Sequence, residues 1–109
     1  MYAYFNDEIV ELKDKCINLQ DRSYTFGDGL YEVIRIIDGI PIFIDEHLKR
    51  LKGSADHFKI KIDELEEIGK KISNLLKINK FFQGELFIHL SRGTDNLREH
   101  GIKNIESNL

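Results

Sequence analysis

The sequence predicts an α+β fold: a small two-layer domain with an antiparallel sheet and two helices packed on one face. Three observations lead to this class. Segments of alternating apolar pattern cover residues 29–37, 40–44 and 84–92, an Asp-Gly turn joins the first two, and two segments of helical period precede the third. A group of strands followed by a group of helices is typical of α+β domains.

Composition narrows the class of protein. The chain has 109 residues, 41% of them hydrophobic and 32% charged, which fits one domain with a single core. A net charge of −3 with dispersed basic residues disfavours a nucleic-acid surface, and no apolar run approaches the roughly 18 residues of a membrane span. The single cysteine, Cys16, excludes an internal disulfide and fits a reducing compartment. We therefore expect a cytoplasmic protein without nucleic-acid or membrane partners.

The strands are predicted from their turns and their alternation. Residues 2–5 and 8–12 resemble a short hairpin turned at Asn6-Asp7, and Asp38-Gly39 is a strong two-residue hairpin signal. The strand that begins at Gly29 has apolar residues on both faces, which predicts a sheet covered on both sides. One face carries Tyr31, Val33, Arg35 and Ile37, and the other carries Leu30, Glu32, Ile34 and Ile36.

Two helices are predicted between the second and third of these strands. Asp45 is a suitable N-cap for the first, and a second helix is expected to open at Asp63 with a capping-box-like Glu66. The first helix has an apolar stripe of Leu48, Leu51, Ala55 and Phe58. The second is expected to bury Leu65, Ile68, Ile72, Leu75 and Leu76.

Several polar residues are candidates for function. The Gly27-Asp28-Gly29 turn opens a strand and not a helix, which excludes a dinucleotide-binding glycine loop. On physical grounds Tyr31 is a sheet aromatic or a ligand contact, and Glu32 is a strand carboxylate that needs a partner. His47 and His57 are about 15 Å apart along a helix, too far for one metal ion. We therefore predict no metal site.

The stretch from Asp21 to Leu51, DRSYTFGDGLYEVIRIIDGIPIFIDEHLKRL, resembles the N-terminal small domain of the class IV (fold-type IV) aminotransferases that use pyridoxal 5′-phosphate (PLP). The resemblance extends from about Tyr4 to His100 and is strongest to the D-amino-acid aminotransferases. It implies that Arg50, in the Glu-His-Leu-x-Arg-Leu helix, contacts the cofactor phosphate. A guanidinium suits this task because it stays charged and offers a planar fork of donors. For His47 we expect a helix-boundary hydrogen bond.

The loop near the end of the chain carries the most discriminating part of the resemblance. Arg98 and His100 match an Arg-x-His element that traps the substrate carboxylate, together with a tyrosine matched here by Tyr31. In the family this element reaches the neighbouring subunit's site, which implies a homodimer. The implied reaction transfers an amino group between D-amino acids and 2-oxo acids.

The resemblance also implies what this chain does not contain. The family's catalytic lysine and most of its cofactor site lie in a second domain, so residues 1–109 are expected to be the small domain alone, with no catalytic residue and no activity. We also expect self-association through the uncovered face that bears Tyr31, Phe87 and His89. Three alternatives stay open: the small domain of a branched-chain aminotransferase, that of an aminodeoxychorismate lyase, or a non-catalytic dimerisation fragment.

Overall fold

A computed structural model describes residues 1–96, 100–101 and 103–109. The elements are, in order, β1 (Tyr2–Phe5), β2 (Glu8–Glu11), α1 (Arg22–Phe26), β3 (Gly29–Ile37), β4 (Ile40–Pro41), α2 (Ile44–Phe58), α3 (Leu65–Ile78) and β5 (Gly84–Ser91). β4, β3 and β5 form an antiparallel sheet in that order, and β1 and β2 form a separate hairpin. The predicted α+β class is confirmed. Within the described residues, no helix is both long and apolar enough to cross a bilayer.

The two helices cover one face of the three-stranded sheet. Ile34 and Ile36 of β3 have no exposed surface, and they form a core with apolar residues of the helices and of β5. Its other members are Leu48, Leu51, Ala55, Ile60, Ile68, Ile72, Leu76, Ile88 and Leu90. Of the predicted stripe of α2, Leu48, Leu51 and Ala55 are buried, but Phe58 is 51% exposed. Of the predicted stripe of α3, Ile68, Ile72 and Leu76 are buried, but Leu65 and Leu75 are only partly buried.

The opposite face of the sheet is open. Tyr31 is 69% exposed and Phe87 is 57% exposed, and β3 pairs with β5 so that Tyr31 lies opposite His89 and Val33 opposite Phe87. The expectation of a sheet covered on both sides is wrong for this chain, because both helices lie on the Ile34 face. The open face, which bears Tyr31, Phe87 and His89, is the one that was expected to be uncovered in the small domain by itself.

The return strand after the Asp38-Gly39 turn is shorter than predicted. β4 pairs with Ile36 and Ile37 only, and it ends at Pro41 instead of continuing to residue 44. Phe43 adopts a left-handed conformation with φ of 54°, which ends the extended chain and starts α2 at Ile44. Asp45 therefore lies in the first turn, where its charge suits the helix dipole, and it is not the N-cap.

The starts of two other elements also differ from the prediction. Helix α3 begins at Leu65 after Glu64, without a side-chain cap, and Asp63 instead pairs with Lys71 at 3.2 Å. Helix α1 was not predicted: Asp21 caps it by accepting a hydrogen bond from the Ser23 N–H. Gly27, with φ of 65°, ends α1 just before β3 begins.

Candidate functional site

Helix α1 and the turn at Gly27 lead directly into β3. Two candidate residues, Tyr31 and Glu32, lie near the start of this strand. Glu32 points under the helices, where its side chain is 5% exposed. It accepts two hydrogen bonds from Arg50 of α2, from Nε to Oε1 and from Nη2 to Oε2, both at 2.7 Å. His47, one turn earlier on α2, contacts the same carboxylate through Nδ1 at 2.7 Å. Glu32 was expected to have a partner, and His47 was expected to make a hydrogen bond at the helix boundary. Both contacts belong to this one network.

This network favours the charged forms of Glu32 and Arg50. The hydrogen bond from Arg50 holds the pKa of the Glu32 carboxyl below its usual value, with a smaller contribution from His47, although burial opposes the shift. The hydrogen bond to Glu32 in turn raises the pKa of Arg50. Glu32 is therefore ionised at neutral pH, and Arg50 is an oriented cation.

The geometry of Arg50 is compatible with binding a phosphate. Its side chain is 68% exposed although one edge of the guanidinium is fixed by Glu32. Within the described part of the chain, Nη1 makes no hydrogen bond, so one edge of the fork can meet an anion. The ion pair itself is nearly neutral, so tight binding of a phosphate needs further donors. The donor set therefore fits one contact to a PLP phosphate rather than a complete site.

Tyr31 occupies the other side of the same strand. Because successive strand residues point to opposite faces, Tyr31 projects from the open face while Glu32 projects towards α2. Its ring is stacked beside His89 of β5, with centroids 6.4 Å apart, and His89 is stacked beside Phe87 at 6.3 Å. The phenol is thus accessible at the mouth of any cleft that a second surface would form here.

A buried cluster of charged residues fixes the glycine turn ahead of Tyr31. Arg22 and Arg92 each donate from Nε to Oδ2 of Asp28 at 2.8 Å, and both arginines are almost completely buried. Burial raises the pKa of the Asp28 carboxyl, but the hydrogen bonds from Arg92 and Arg22 outweigh burial and hold the pKa below its usual value. Sequence reasoning missed this cluster, because Arg22 and Arg92 are far apart in the chain.

The same two arginines hold the loop that follows β5. Nη2 of Arg22 donates to the Gly101 carbonyl at 2.7 Å, and Nη1 of Arg92 donates to the Lys103 carbonyl at 3.3 Å. His100 lies against Phe26 of α1, with ring centroids 4.7 Å apart. Arg98 lies outside the described residues. Tyr31 and His100 therefore contact different rings within the single chain, His89 and Phe26 respectively.

The family is decided by comparison with known proteins. Residues 29–106 match the sequence profile of the amino-transferase class IV family. The chain belongs to the class IV aminotransferases. This match confirms the resemblance that the sequence indicated, and it covers Tyr31, Arg50 and the loop after β5.

One curated relative supports this assignment, and two solved structures below 25% identity share the fold. The D-alanine aminotransferase of Bacillus licheniformis is 38% identical over 94 residues, which is 85% of this chain and 33% of the relative. The branched-chain amino acid aminotransferase of Escherichia coli matches 98% of this chain and 38% of its own with a TM-score of 0.89 and 18% identity. A hypothetical aminotransferase from Mycobacterium tuberculosis, in its PLP-bound form, matches 93% of this chain and 34% of its own with a TM-score of 0.75 and 21% identity. The chain thus spans about a third of the curated relative's length.

Proposed function

We propose that residues 1–109 are the small domain of a PLP-dependent D-amino-acid aminotransferase, an enzyme that transfers an amino group between D-amino acids and 2-oxo acids. The observation that carries the proposal is the pair of neighbours in β3: Glu32 orients Arg50 on one face, and Tyr31 is exposed on the other. The similarity to a D-alanine aminotransferase supports the D-amino-acid class. In this proposal a second domain supplies the catalytic lysine.

Each residue has one task in the proposed site. Arg50 binds the cofactor phosphate through the edge that Glu32 leaves open. PLP, when bound, supplies the electron-withdrawing ring on which amino-group transfer depends. Tyr31 donates a hydrogen bond to the substrate carboxylate, and Arg98 and His100 of a second subunit hold the same group. The proposed enzyme is therefore a homodimer.

The proposal for Arg50 is tested through cofactor affinity in the protein that carries this domain together with its cofactor domain. Arg50→Gln should raise the dissociation constant of PLP by about tenfold or more, because a charge-assisted contact is lost. Lys49→Gln is the matched control, since it removes a neighbouring exposed cation on the same helix. Equal effects of the two changes would contradict the assignment.

The substrate class is tested by steady-state kinetics with D-alanine and L-leucine. A carboxylate held by arginine is worth roughly 1.5–3 kcal/mol, so Arg98→Ala should raise the KM for D-alanine by about ten- to a hundredfold. The turnover number should change much less if the contact is equal in ground and transition states. A preference for L-leucine, or an unchanged KM, would replace the D-amino-acid proposal by the branched-chain alternative.

The 109-residue chain by itself should not trap the cofactor. The resemblance assigns none of its eleven lysines to the covalent bond with PLP. We expect borohydride reduction in the presence of PLP, followed by peptide mapping, to label no single lysine stoichiometrically. One specifically and fully labelled lysine would overturn the proposed division between two domains.

A further inference from the structure

The buried arginine of α1 contacts the loop after β5 directly. Arg22 is 3% exposed, and its Nε donates to Oδ2 of Asp28 at 2.8 Å. Its Nη2 donates to the backbone carbonyl of Gly101 at 2.7 Å. Because a guanidinium is planar and its donors diverge at fixed angles, the carboxylate that holds Nε also sets the direction of Nη2. Asp28 and Arg22 thus hold the backbone directly after His100.

The side chain of Phe26 makes a second connection between Arg22 and His100. Phe26 lies four residues after Arg22 on α1, so the two side chains share a face of the helix. The Arg22 guanidinium lies over the Phe26 ring, 4.9 Å from its centroid, in the geometry of a cation–π contact. The same ring contacts the imidazole of His100, with centroids 4.7 Å apart and the planes tilted by 54°. Both the main chain and the side chain at His100 therefore depend on Arg22.

Arg92 fixes the same loop at a neighbouring point. Its Nε donates to the Asp28 Oδ2 atom that Arg22 also uses, at 2.8 Å. Its Nη1 donates to the carbonyl of Lys103 at 3.3 Å and to that of Lys59, just after α2, at 3.0 Å. Two cations that share one carboxylate thus attach the loop to the rest of the domain at Gly101 and at Lys103.

The side chain of Arg22 is not required to join the segments on which it lies. The Arg22 N–H donates to the Gly93 carbonyl at 2.8 Å, and the Arg92 N–H donates to the Asp28 carbonyl at 3.1 Å. Asp21 caps α1 through the Ser23 N–H at 2.8 Å. These bonds persist when the Arg22 side chain is replaced. The guanidinium adds the connections to Gly101 and Phe26, which place its effect at His100.

We propose that Arg22 is a positioning residue for His100: through the Gly101 carbonyl and the Phe26 ring it sets where the imidazole meets the substrate carboxylate. The inference rests on the proposed function, in which His100 of one subunit binds the carboxylate at the site of the other. Arg22 acts through His100 and not by touching the substrate. Loss of its second donor should therefore weaken substrate binding more than it slows turnover, because the carboxylate contact is made both before and during the reaction.

The test uses the protein that carries this domain together with its cofactor domain. Arg22→Lys keeps the positive charge beside Asp28 but loses the planar fork whose second donor reaches Gly101. We expect the KM for D-alanine to rise by about three- to tenfold, the effect of one hydrogen bond, with the turnover number changed by less than about twofold. A lower turnover number at unchanged KM would overturn the proposal.

A double-mutant cycle with His100→Ala separates positioning from a general structural effect. His100→Ala alone should raise the KM for D-alanine by about tenfold, and adding Arg22→Lys should raise it by less than about twofold further. If the two effects multiply in full, Arg22 does not act through His100, and the inference is wrong although the proposed function stands. If His100→Ala leaves the KM unchanged, the carboxylate contact of the proposed function is wrong, and the positioning role is wrong with it.

Phe26→Leu tests the second connection without disturbing the ion pair between Arg22 and Asp28. Phe26 is only partly buried, so the variant should fold. The KM for D-alanine should rise by about two- to fivefold, and this rise should disappear when His100→Ala is also present. Tyr24→Leu is the matched control, because it removes a ring that is 70% exposed from the same helix and should leave the KM unchanged. Equal effects of Phe26→Leu and Tyr24→Leu would overturn the proposal.

Discussion

At the scale of single residues, Glu32 joins the central strand to the helix that carries Arg50. Its carboxylate is the acceptor for both Arg50 hydrogen bonds and the partner of His47. Removing its charge should leave the Arg50 guanidinium without an anchor. The position of Arg50 therefore depends on a residue of the opposite layer.

Glu32→Gln should lower the free energy of unfolding by about 1–3 kcal/mol, because charge-assisted hydrogen bonds are weakened in a buried place. Urea denaturation at neutral pH measures this change. Glu85→Gln, at an exposed position of β5, is the control and should change the free energy little. A Glu32→Gln effect no larger than that of the control would show that the network does not contribute to stability.

The free energy of unfolding should also fall at acidic pH, because Asp28 and Glu32 become protonated there. Both carboxyls have a lower pKa in the folded chain than their ordinary value. Their stabilisation is therefore complete above the unfolded pKa of about 4 and is lost as the pH falls through the folded values. Asp28→Asn should flatten this loss between about pH 5 and 2, whereas Asp56→Asn, at an exposed site, should not. Parallel urea titrations at each pH would show a difference or refute it.

At the scale of elements, two glycines should respond to alanine in opposite directions. Gly93 follows β5 with φ of 124°, and an added Cβ would lie 1.8 Å from the Glu106 carbonyl oxygen. Gly53 lies in α2, where an added Cβ would meet nothing within 4 Å.

Gly93→Ala should therefore destabilise the chain by more than about 2 kcal/mol, because both the backbone angle and the contact oppose it. Gly53→Ala should stabilise it by about 0.5–1 kcal/mol through the better helix propensity of alanine. Thermal denaturation of both variants is the measurement. A neutral Gly93→Ala would mean that the segment at Glu106 can move aside.

The elements that were predicted correctly are those whose signals are local. Asp38-Gly39 specifies a hairpin by backbone preference, and alternation places Ile34 and Ile36 under the helices. Helix α1 has five residues, too few for a helical period, and the carboxylate of its cap, Asp21, bonds distant residues of the chain as well as Ser23. The left-handed Phe43 carries no sequence signal, so the end of β4 and the start of α2 could not be predicted.

The candidate site, like the secondary-structure elements, was predictable only where its signals are local in the sequence. Alternation placed Tyr31 and Glu32 on opposite faces of β3, and a strand carboxylate was expected to have a partner, but only the structure identifies Arg50 as that partner. The pairing of Asp28 with Arg22 and Arg92 spans 6 and 64 residues of sequence, so only the folded chain shows it. In the proposed site Arg98 and His100 come from a second chain, so no local signal in the sequence predicts their contact with Tyr31.

At the scale of the whole molecule, the open sheet face should cause self-association. Tyr31 and Phe87 leave contiguous apolar surface on the side opposite the helices, and such surface usually finds a partner. Phe87→Glu should raise the dissociation constant of self-association by about tenfold or more. Sedimentation equilibrium measures this constant. Phe58→Glu, at an exposed position on the end of α2, is the control. A strictly monomeric parent chain at high concentration would refute the expectation.

The adjacency of Tyr31 and Glu32 constrains how this protein can change in length. Strand residues alternate between faces, so one residue inserted between Glu32 and Ile34 would reverse the two side chains if the rest of β3 kept its pairing with β5. The phenol would turn towards α2, and the carboxylate would turn away from Arg50. Only insertions of an even number of residues preserve both orientations at once. This parity rule applies to β3 but not to the irregular segment 12–20, so natural length variation should be found in that segment and not in the strand.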